Sequence, residues 1–244
     1  MDARRTAARG GTGRGAVRGA GRDGGRVARR RGEGVPPATV ARLPGYLRAL
    51  DAAAAGGVVL TSSQELAHRA GVTPAQLRKD LSHLGSYGRR GVGYDVQHLR
   101  EQVRVALGLA DVRRVLLVGV GNLGHALANY AGIAERGFSL VALVDADPAV
   151  VGTTVAGLVV EPADDLAGLV ARTGATIAVL TTPADVAQRV CDELVAAGVV
   201  GVLTFAPGTL RVPPHVDVRA VDVASELQIL AFHDRARGAG GGAS

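Results

Sequence analysis

The stretch VLLVGVGNLG, residues 115–124, decides the fold. An apolar run, Val115-Leu116-Leu117-Val118, leads into Gly119-x-Gly121-x-x-Gly124, and an amphipathic run over residues 125–134 follows. That is the order strand, tight turn, helix. The first glycine of such a turn permits the bend, the second lets a pyrophosphate approach the main chain, and the third lets helix and strand pack closely. The helix start then offers unpaired N–H groups and a positive dipole end to phosphate. The candidate phosphate cradle is therefore Gly119, Val120, Gly121, Asn122, Leu123 and Gly124.

Downstream, a second apolar run, residues 138–144 (FSLVALV), ends in Asp145. That acid lies ~20 residues past the turn, where a dinucleotide fold places the carboxylate that binds the adenosine ribose hydroxyls. A carboxylate there repels a 2′-phosphate, which favours NAD(H) over NADP(H). The bland alternative is a βαβ unit that holds no ligand. A strand over residues 155–160 and a short helix over 164–172 are expected next. The apolar strand 175–180 (ATIAVL) ends in Thr181-Thr182-Pro183, at the strand end where ligands sit in parallel sheets. Thr181 and Thr182 are candidates to reach ribose or phosphate; simple capping of the helix at 184–197 is the alternative. Strands at 199–205, followed by Ala206-Pro207, and at 216–221 complete the pattern. The alternation over residues 113–222 predicts a parallel, doubly wound sheet. The segment 224–237 reads as an amphipathic helix with Leu227, Leu230 and Ala231 on one side.

Upstream, folding is expected to begin near Pro36. Val40, Leu43, Leu47 and Leu50 have helical spacing, Pro44-Gly45 is expected to interrupt or kink that helix, and Gly56-Gly57 to end it. Residues 58–60 (VVL) suit no more than a small strand. Ser62-x-x-Glu65 is a capping-box pattern that opens SQELAHRA, which Gly71 stops. Thr73-Pro74-Ala75-Gln76 opens another helix, with Thr73 as N-cap and Pro74 at the first helical position. Leu77, Leu81 and Leu84 form its apolar stripe, and Gln76, Arg78, Lys79, Ser82 and His83 fall on other faces. Two compact helices joined by a short turn are a helix-turn-helix signature. The following GSYGRRGVGY, residues 85–94, suits a small hairpin, the wing of a winged helix. The helix would enter the major groove and the arginine tip the minor groove, where a narrow A·T tract concentrates negative potential. A solvated basic loop is the alternative. The candidate DNA-facing set is Thr73, Gln76, Arg78, Lys79, Ser82, Tyr87, Arg89, Arg90 and Gly91. Asp95 can cap a helix running to Leu109, with Leu99, Val103 and Leu107 inward, so the link to Arg113-Arg114 is expected to be short and helical.

The 244 residues suffice for one large domain or two small ones. Aromatics are 3% and Trp is absent, so Ala, Val and Leu must fill the core. A single cysteine, Cys191, excludes an internal disulfide framework and a cysteine zinc site and fits a reduced, cytoplasmic setting. No apolar run approaches the ~20 residues that span a bilayer. The net charge of +6 belongs to one end: residues 1–35 carry ten arginines against Asp2, Asp23 and Glu33, and the rest is close to neutral. Residues 1–34, almost devoid of large apolar side chains, are expected to be a disordered arm, either a solvated extension or a non-specific phosphate binder. No secretory signal is expected, since no apolar segment follows the charges.

With a DNA-reading and a dinucleotide-reading half in view, the chain resembles the Rex family of redox-sensing transcriptional repressors over residues 36–235. The resemblance rests on QLRKDLSHLGSYGRRGVGYDV (76–96), GVGNLGHALANY (119–130), VDADP (144–148), TTPADVAQ (181–188) and FAP (205–207). It implies a winged-helix domain at 36–110, a Rossmann domain at 111–222, and a C-terminal helix at 223–238 exchanged between the subunits of a homodimer, with the arm at 1–34 outside the motif-bearing region. It implies a palindromic operator, sensing of the NADH/NAD+ ratio with NADH favouring a closed form that leaves DNA, and respiratory and fermentative target genes. By motif position Lys79, with Arg78 and Gln76 nearby, faces the major groove, and Arg90-Gly91 enters the minor groove. Gly119 to Gly124, Asp145, Thr181, Thr182, Pro183 and Ala206 hold the dinucleotide, and Arg48, Tyr130 and Asp222 match positions whose contacts differ between the two forms. The chain departs from the family in its arm, in Pro44-Gly45, and in Val223, where an aromatic that stacks on nicotinamide is common.

Two other classes compete. An NAD-dependent dehydrogenase needs a proton donor beside the hydride site and a substrate domain; His215 and His233 form no such constellation, and residues 36–110 are already assigned to DNA. A CoA-binding module shares the glycine turn, and Asp145 speaks for a ribose diol instead.

Overall fold

The computed structural model describes residues 34–85, 88 and 92–240. The wing expectation for Tyr87, Arg89, Arg90 and Gly91, and the expected arm at 1–33, lie outside the described residues.

The N-terminal part is built on α1 (Pro37–Ala55), which starts with proline in its first turn and ends at Gly56 and Gly57, the latter at φ +73°. The helix runs through Pro44 without interruption, against expectation. Pro44 is exposed, and Leu43, Tyr46, Leu47 and Leu50 around it are buried, so core packing on both sides outweighs the ~3 kcal/mol cost of an internal proline. Val40 is exposed, contrary to its assigned place in the stripe, and Thr39 takes the inward position. Next come β1 (Leu60–Thr61), α2 (Ser63–Arg69) and α3 (Pro74–Leu84). Ser62 and Glu65 form the reciprocal capping box, and Thr73 Oγ1 accepts from Gln76 N–H at 3.1 Å. Leu77 and Leu81 are buried and Leu84 half-buried. The strand β2 (Tyr94–Asp95) pairs antiparallel with β1, so the segment expected to form its own hairpin is closed at its far end against residues 60 and 61. Asp95 accepts from His98 N–H at 2.8 Å and starts α4 (Val96–Ala106). This helix stops three residues short of the expected end: Gly108 lies at φ +72°, and the connection 107–112 is a turn with Leu109 buried.

The C-terminal part is a seven-stranded sheet. Its strands are β3 (Arg113–Val118), β4 (Phe138–Asp145), β5 (Thr154–Val155), β6 (Leu158–Pro162), β7 (Ile177–Leu180), β8 (Gly201–Thr204) and β9 (Asp217–Ala220), in the order β5-β6-β4-β3-β7-β8-β9. All neighbours are parallel except β5 and β6. The single strand expected at 155–160 is thus a hairpin, turned at Ala156 and Gly157, both with positive φ. Between β3 and β4 the expected helix at 125–134 is two pieces, α5 (Asn122–Ala128) and α6 (Gly132–Glu135). α5 starts inside the glycine motif, and Asn129 turns its side-chain amide back onto His125 O at 2.9 Å where it ends. A Cβ at Gly132, in the break, would meet the exposed Tyr130 ring, which would have to swing aside. A 3-10 turn (Ala163–Asp165) precedes α7 (Leu166–Thr173); α8 (Ala184–Ala196) follows β7, and α9 (Val223–Gly240) follows β9.

The sheet separates two apolar layers. Leu116, Val118, Leu180 and Val202 pack with α7 and α8 on one face, and Val115, Leu117, Leu143 and Val179 face α5 and the β5–β6 hairpin. A third cluster joins α1 to α4, and half-buried Phe138 packs against both it and the second sheet layer.

Candidate functional site

Register brings the site together. Val118 lies opposite Val144 on one side and Leu180 on the other, so β3, β4 and β7 end level. The chain leaves β3 toward β4 on one side while β7 lies on the other, a topological switch point that opens a crevice beyond the strand ends. Gly119 and Thr181 follow the ends of β3 and β7 directly, and Asp145 is the last residue of β4. Gly119 N–H donates to Val144 O at 2.8 Å and Thr181 N–H to Val118 O at 2.9 Å.

Two glycines are required by space. Gly119 sits at φ +94° against the Thr181 backbone, and Gly124 is buried with its α-carbon facing the Gly119 carbonyl. Thr181 Oγ1 donates to Gly119 O at 2.6 Å, which ties the turn to β7. Asp145 Oδ2 accepts from Val120 N–H at 2.5 Å and Oδ1 from Asp147 N–H at 2.8 Å. A carboxylate offers about four acceptor positions, so half of them remain for hydroxyl donors. Thr182 Oγ1 is buried and has no hydrogen-bond partner among the described residues.

These residues line a cavity of about 370 Å³. Gly119, Gly121, Asp145, Thr181, Thr182 and Pro183 are on its wall, six of the eleven positions expected from sequence. Val120, Asn122, Leu123 and Gly124 form the turn and helix start behind the wall. Ala206 is 8% exposed and lies beyond β8, its N–H on Thr204 Oγ1 at 3.1 Å, and it does not line the cavity. Sequence reading missed the apolar wall of Val150, Ala163, Leu166 and Val186, and the rim residues Arg189 and Glu193, which pair at 3.1 Å. The apolar residues lie on four separate segments and carry no motif; Arg189 and Glu193 have i, i+4 spacing, an ordinary helix-surface pattern. The cleft thus combines a close-approach glycine turn, a carboxylate with free acceptor positions, an orphan hydroxyl and an apolar wall. That set fits an adenine dinucleotide.

The second candidate surface is α3. Arg78, Lys79 and Ser82 are exposed on it. Arg78 Nη1 donates to Ser63 Oγ at 3.1 Å, and Ser82 Oγ to Lys79 O at 2.7 Å. Thr73 is spent as a cap, and Gln76 is half-buried, its Nε2 on Asp80 Oδ1 at 2.9 Å. Arg48, Tyr130 and Asp222 are all exposed, and among the described residues no hydrogen bond joins them. Tyr130 OH accepts from Arg136 Nη1 at 3.1 Å. Asp222 caps α9, accepting from Ser225 Oγ at 2.7 Å and from the Ala224 and Ser225 N–H groups, which lowers its carboxyl below the usual range. Val223 is 62% exposed, and Leu227, Ile229, Leu230 and Phe232 are exposed as well, so α9 has apolar side chains around its surface and no core of its own.

Comparison with known proteins gives the following. Residues 34–82 match the family model of a putative DNA-binding protein N-terminus, and residues 111–208 that of a CoA binding domain. A redox-sensing transcriptional repressor Rex of Streptomyces griseus is 58% identical over 205 residues, 84% of this chain and 81% of the relative. One from Desulfitobacterium hafniense is 44% identical over 199 residues, 82% of this chain and 95% of the relative. Among solved structures, RSP, a Rex-family repressor, in complex with beta-NAD+ and operator DNA aligns with a TM-score of 0.79 at 32% identity, covering 86% of this chain and 99% of that one. RSP in complex with beta-NADH aligns at 0.75 and 32%, covering 84% and 96%.

Proposed function

Because this chain belongs to the Rex family of redox-sensing transcriptional repressors, we propose that it represses transcription from operator DNA and leaves that DNA when NADH fills its Rossmann cleft. The observation that carries this reading is Phe138, the first residue of β4, whose side chain packs against both the α1–α4 core and the sheet layer behind the glycine turn. A change at the cleft therefore has a packed route to the helices that hold α3.

When bound, the dinucleotide supplies a nicotinamide ring whose reduced and oxidised forms differ by one positive charge. The chain's residues do the rest. Gly119, Gly121 and Gly124 bring the backbone close to the pyrophosphate, with Val120, Asn122 and Leu123 completing the turn. Asp145 takes the ribose diol and repels a 2′-phosphate. Thr181, Thr182 and Pro183 border the opposite wall, and the orphan Thr182 hydroxyl gains a partner there. Ala206 is assigned to the nicotinamide end, where low polarity favours the neutral, reduced ring.

On DNA, Lys79, Arg78 and Gln76 of α3 face the major groove, flanked by Thr73 and Ser82, and Tyr87, Arg89, Arg90 and Gly91 serve the minor groove. The active form is a homodimer on a palindromic, A·T-rich operator, joined by exchange of α9. Arg48, Tyr130 and Asp222 change partners as the subunits rotate. Half-sites about one turn apart, ~34–36 Å, are engaged together only when the two α3 helices keep that spacing. Closure by a few ångströms breaks simultaneous docking, and the shift requires tighter binding of the reduced ring by the closed form. The protein acts as a regulator and not as an enzyme, in the cytoplasm, on respiratory and fermentative genes.

The test is operator affinity across NADH/NAD+ ratios, with NADH, NAD+ and CoA titrated separately. NADH is expected to weaken operator binding about tenfold or more. Equal affinity with and without it rejects sensing, and tighter binding of CoA than of NADH rejects the assignment of the cleft.

A further inference from the structure

The inward side of α3 carries one charged group, Asp80, which is 1% exposed. Its oxygens collect five donor contacts. Oδ1 accepts from Thr39 Oγ1 at 2.9 Å, Arg42 Nη2 at 2.8 Å and Gln76 Nε2 at 2.9 Å. Oδ2 accepts from Arg42 Nε and from Tyr46 OH, each at 2.6 Å. Burial works to raise this carboxyl, but the hydrogen bonds from Arg42, Tyr46, Thr39 and Gln76 outweigh it and hold the group well below the usual range. Burial and the bond to Asp80 push the Tyr46 phenol up to about 12, so it remains a donor. Asp80 is an anion at neutral pH.

An ionised carboxylate accepts and cannot donate. The Gln76 amide must therefore turn its NH2 group to Asp80, because the reverse orientation would set two acceptor oxygens against each other at hydrogen-bond distance. Its carbonyl oxygen, Oε1, accepts no hydrogen bond among the described residues. Gln76 is half-buried in the first turn of α3, in line at i, i+3 and i+7 with exposed Lys79 and His83. Residues near the N-terminus of such a helix reach base edges.

We propose that Asp80 sets the hydrogen-bonding sense of Gln76, so that this side chain offers DNA its carbonyl oxygen and selects a base carrying an exocyclic amino group in the major groove, adenine N6 or cytosine N4. The proposal rests on the DNA-binding reading above and adds to it a rule for one base position per half-site. An unconstrained glutamine reads adenine through N6 and N7 together. A glutamine with one N–H held by Asp80 cannot exchange its amide ends, so its carbonyl oxygen stays available to take the amino group of adenine or cytosine and opposes the carbonyl oxygens of guanine and thymine.

The experiment starts from a duplex selected from randomised palindromes with the full chain, and measures affinity by anisotropy. At one position in each half-site, an adenine analogue lacking the 6-amino group is expected to weaken binding about three- to tenfold, the size of one lost hydrogen bond. The same replacement is expected to leave Gln76→Ala unaffected. At that position adenine-to-cytosine exchange is expected to be tolerated, while guanine or thymine is not. In Asp80→Asn the new amide can either donate or accept, so Gln76 is free to flip, and discrimination against guanine or thymine is expected to fall toward unity; circular dichroism and an NADH titration verify that the variant is folded. Retained affinity for the analogue lacking the 6-amino group at every half-site position overturns the proposal, as does a folded Asp80→Asn with unchanged base preference. The analogue series on the unsubstituted protein decides the matter even where Asp80→Asn does not fold. If no duplex is selected over random sequence, the DNA-binding reading falls first and takes this one with it.

Discussion

Two acids show how much a single carboxylate carries. Asp80 is held far below the ordinary carboxylate range, so it contributes stability that is fully present above about pH 4 and is lost as pH falls through its folded value. We expect Asp80→Ala to lower stability by ~2–4 kcal/mol at pH 7, because Arg42 and the Tyr46 hydroxyl lose their acceptor. In urea melts that deficit should shrink in acid; a deficit that persists unchanged below pH 3 would contradict the assignment. Asp145 works at the surface of the cleft. Its removal in Asp145→Ala is expected to weaken NADH binding by about 10- to 100-fold, the range for hydrogen bonds to a charged group, and to narrow the preference over NADPH, as read by fluorescence titration. These two acids also differ in legibility. Asp145 is announced by its distance from the glycine turn, and Ser62 and Thr73 by spacing of three residues to the groups they cap. Asp80 draws on Thr39, Arg42 and Tyr46, which lie 41, 38 and 34 residues away, and no local pattern connects them.

Among the elements, α5 shows a rule reversed by its surroundings. Replacing a helical glycine by alanine ordinarily stabilises a helix by roughly 0.5–1 kcal/mol. At Gly124 the added Cβ meets the Gly119 carbonyl, so the helix must back away from the turn. Gly124→Ala is expected to lower the melting temperature and to reduce NADH affinity about tenfold, since overpacking of this kind costs ~1–3 kcal/mol; unchanged NADH affinity would show that the turn tolerates the retreat. The long elements were legible because each carries its own signal: β3, β4 and β7 as continuous apolar runs, α2 and α3 through their caps. The β5–β6 hairpin was not, because Ala156, a non-glycine at φ 51°, occupies the first turn position and gives no turn signal. The unbroken course of α1 past Pro44 was hidden for a different reason, since many of the buried groups packed against it come from other segments.

At the scale of the molecule, α9 is the element that one chain cannot explain. Leu227, Leu230 and Phe232 are 61, 64 and 71% exposed, which is costly for an apolar helix surface left without a cover. The exchange between subunits proposed above would cover them, and the sequence showed only the apolar side chains, since a single chain contains no partner to read. Removing residues 223–244 is expected to turn a dimer into a monomer in sedimentation equilibrium, and to weaken operator binding 100-fold or more by about the loss of a second half-site; a truncated chain that still sediments as a dimer would place the contact elsewhere. Phe138, finally, belongs to two cores at once. A side chain shared in this way makes the melting of either half a disturbance to the other, so scanning calorimetry of the full chain should give one endotherm. Phe138→Ala should split it into two, leaving a protein whose halves each survive but no longer hear one another.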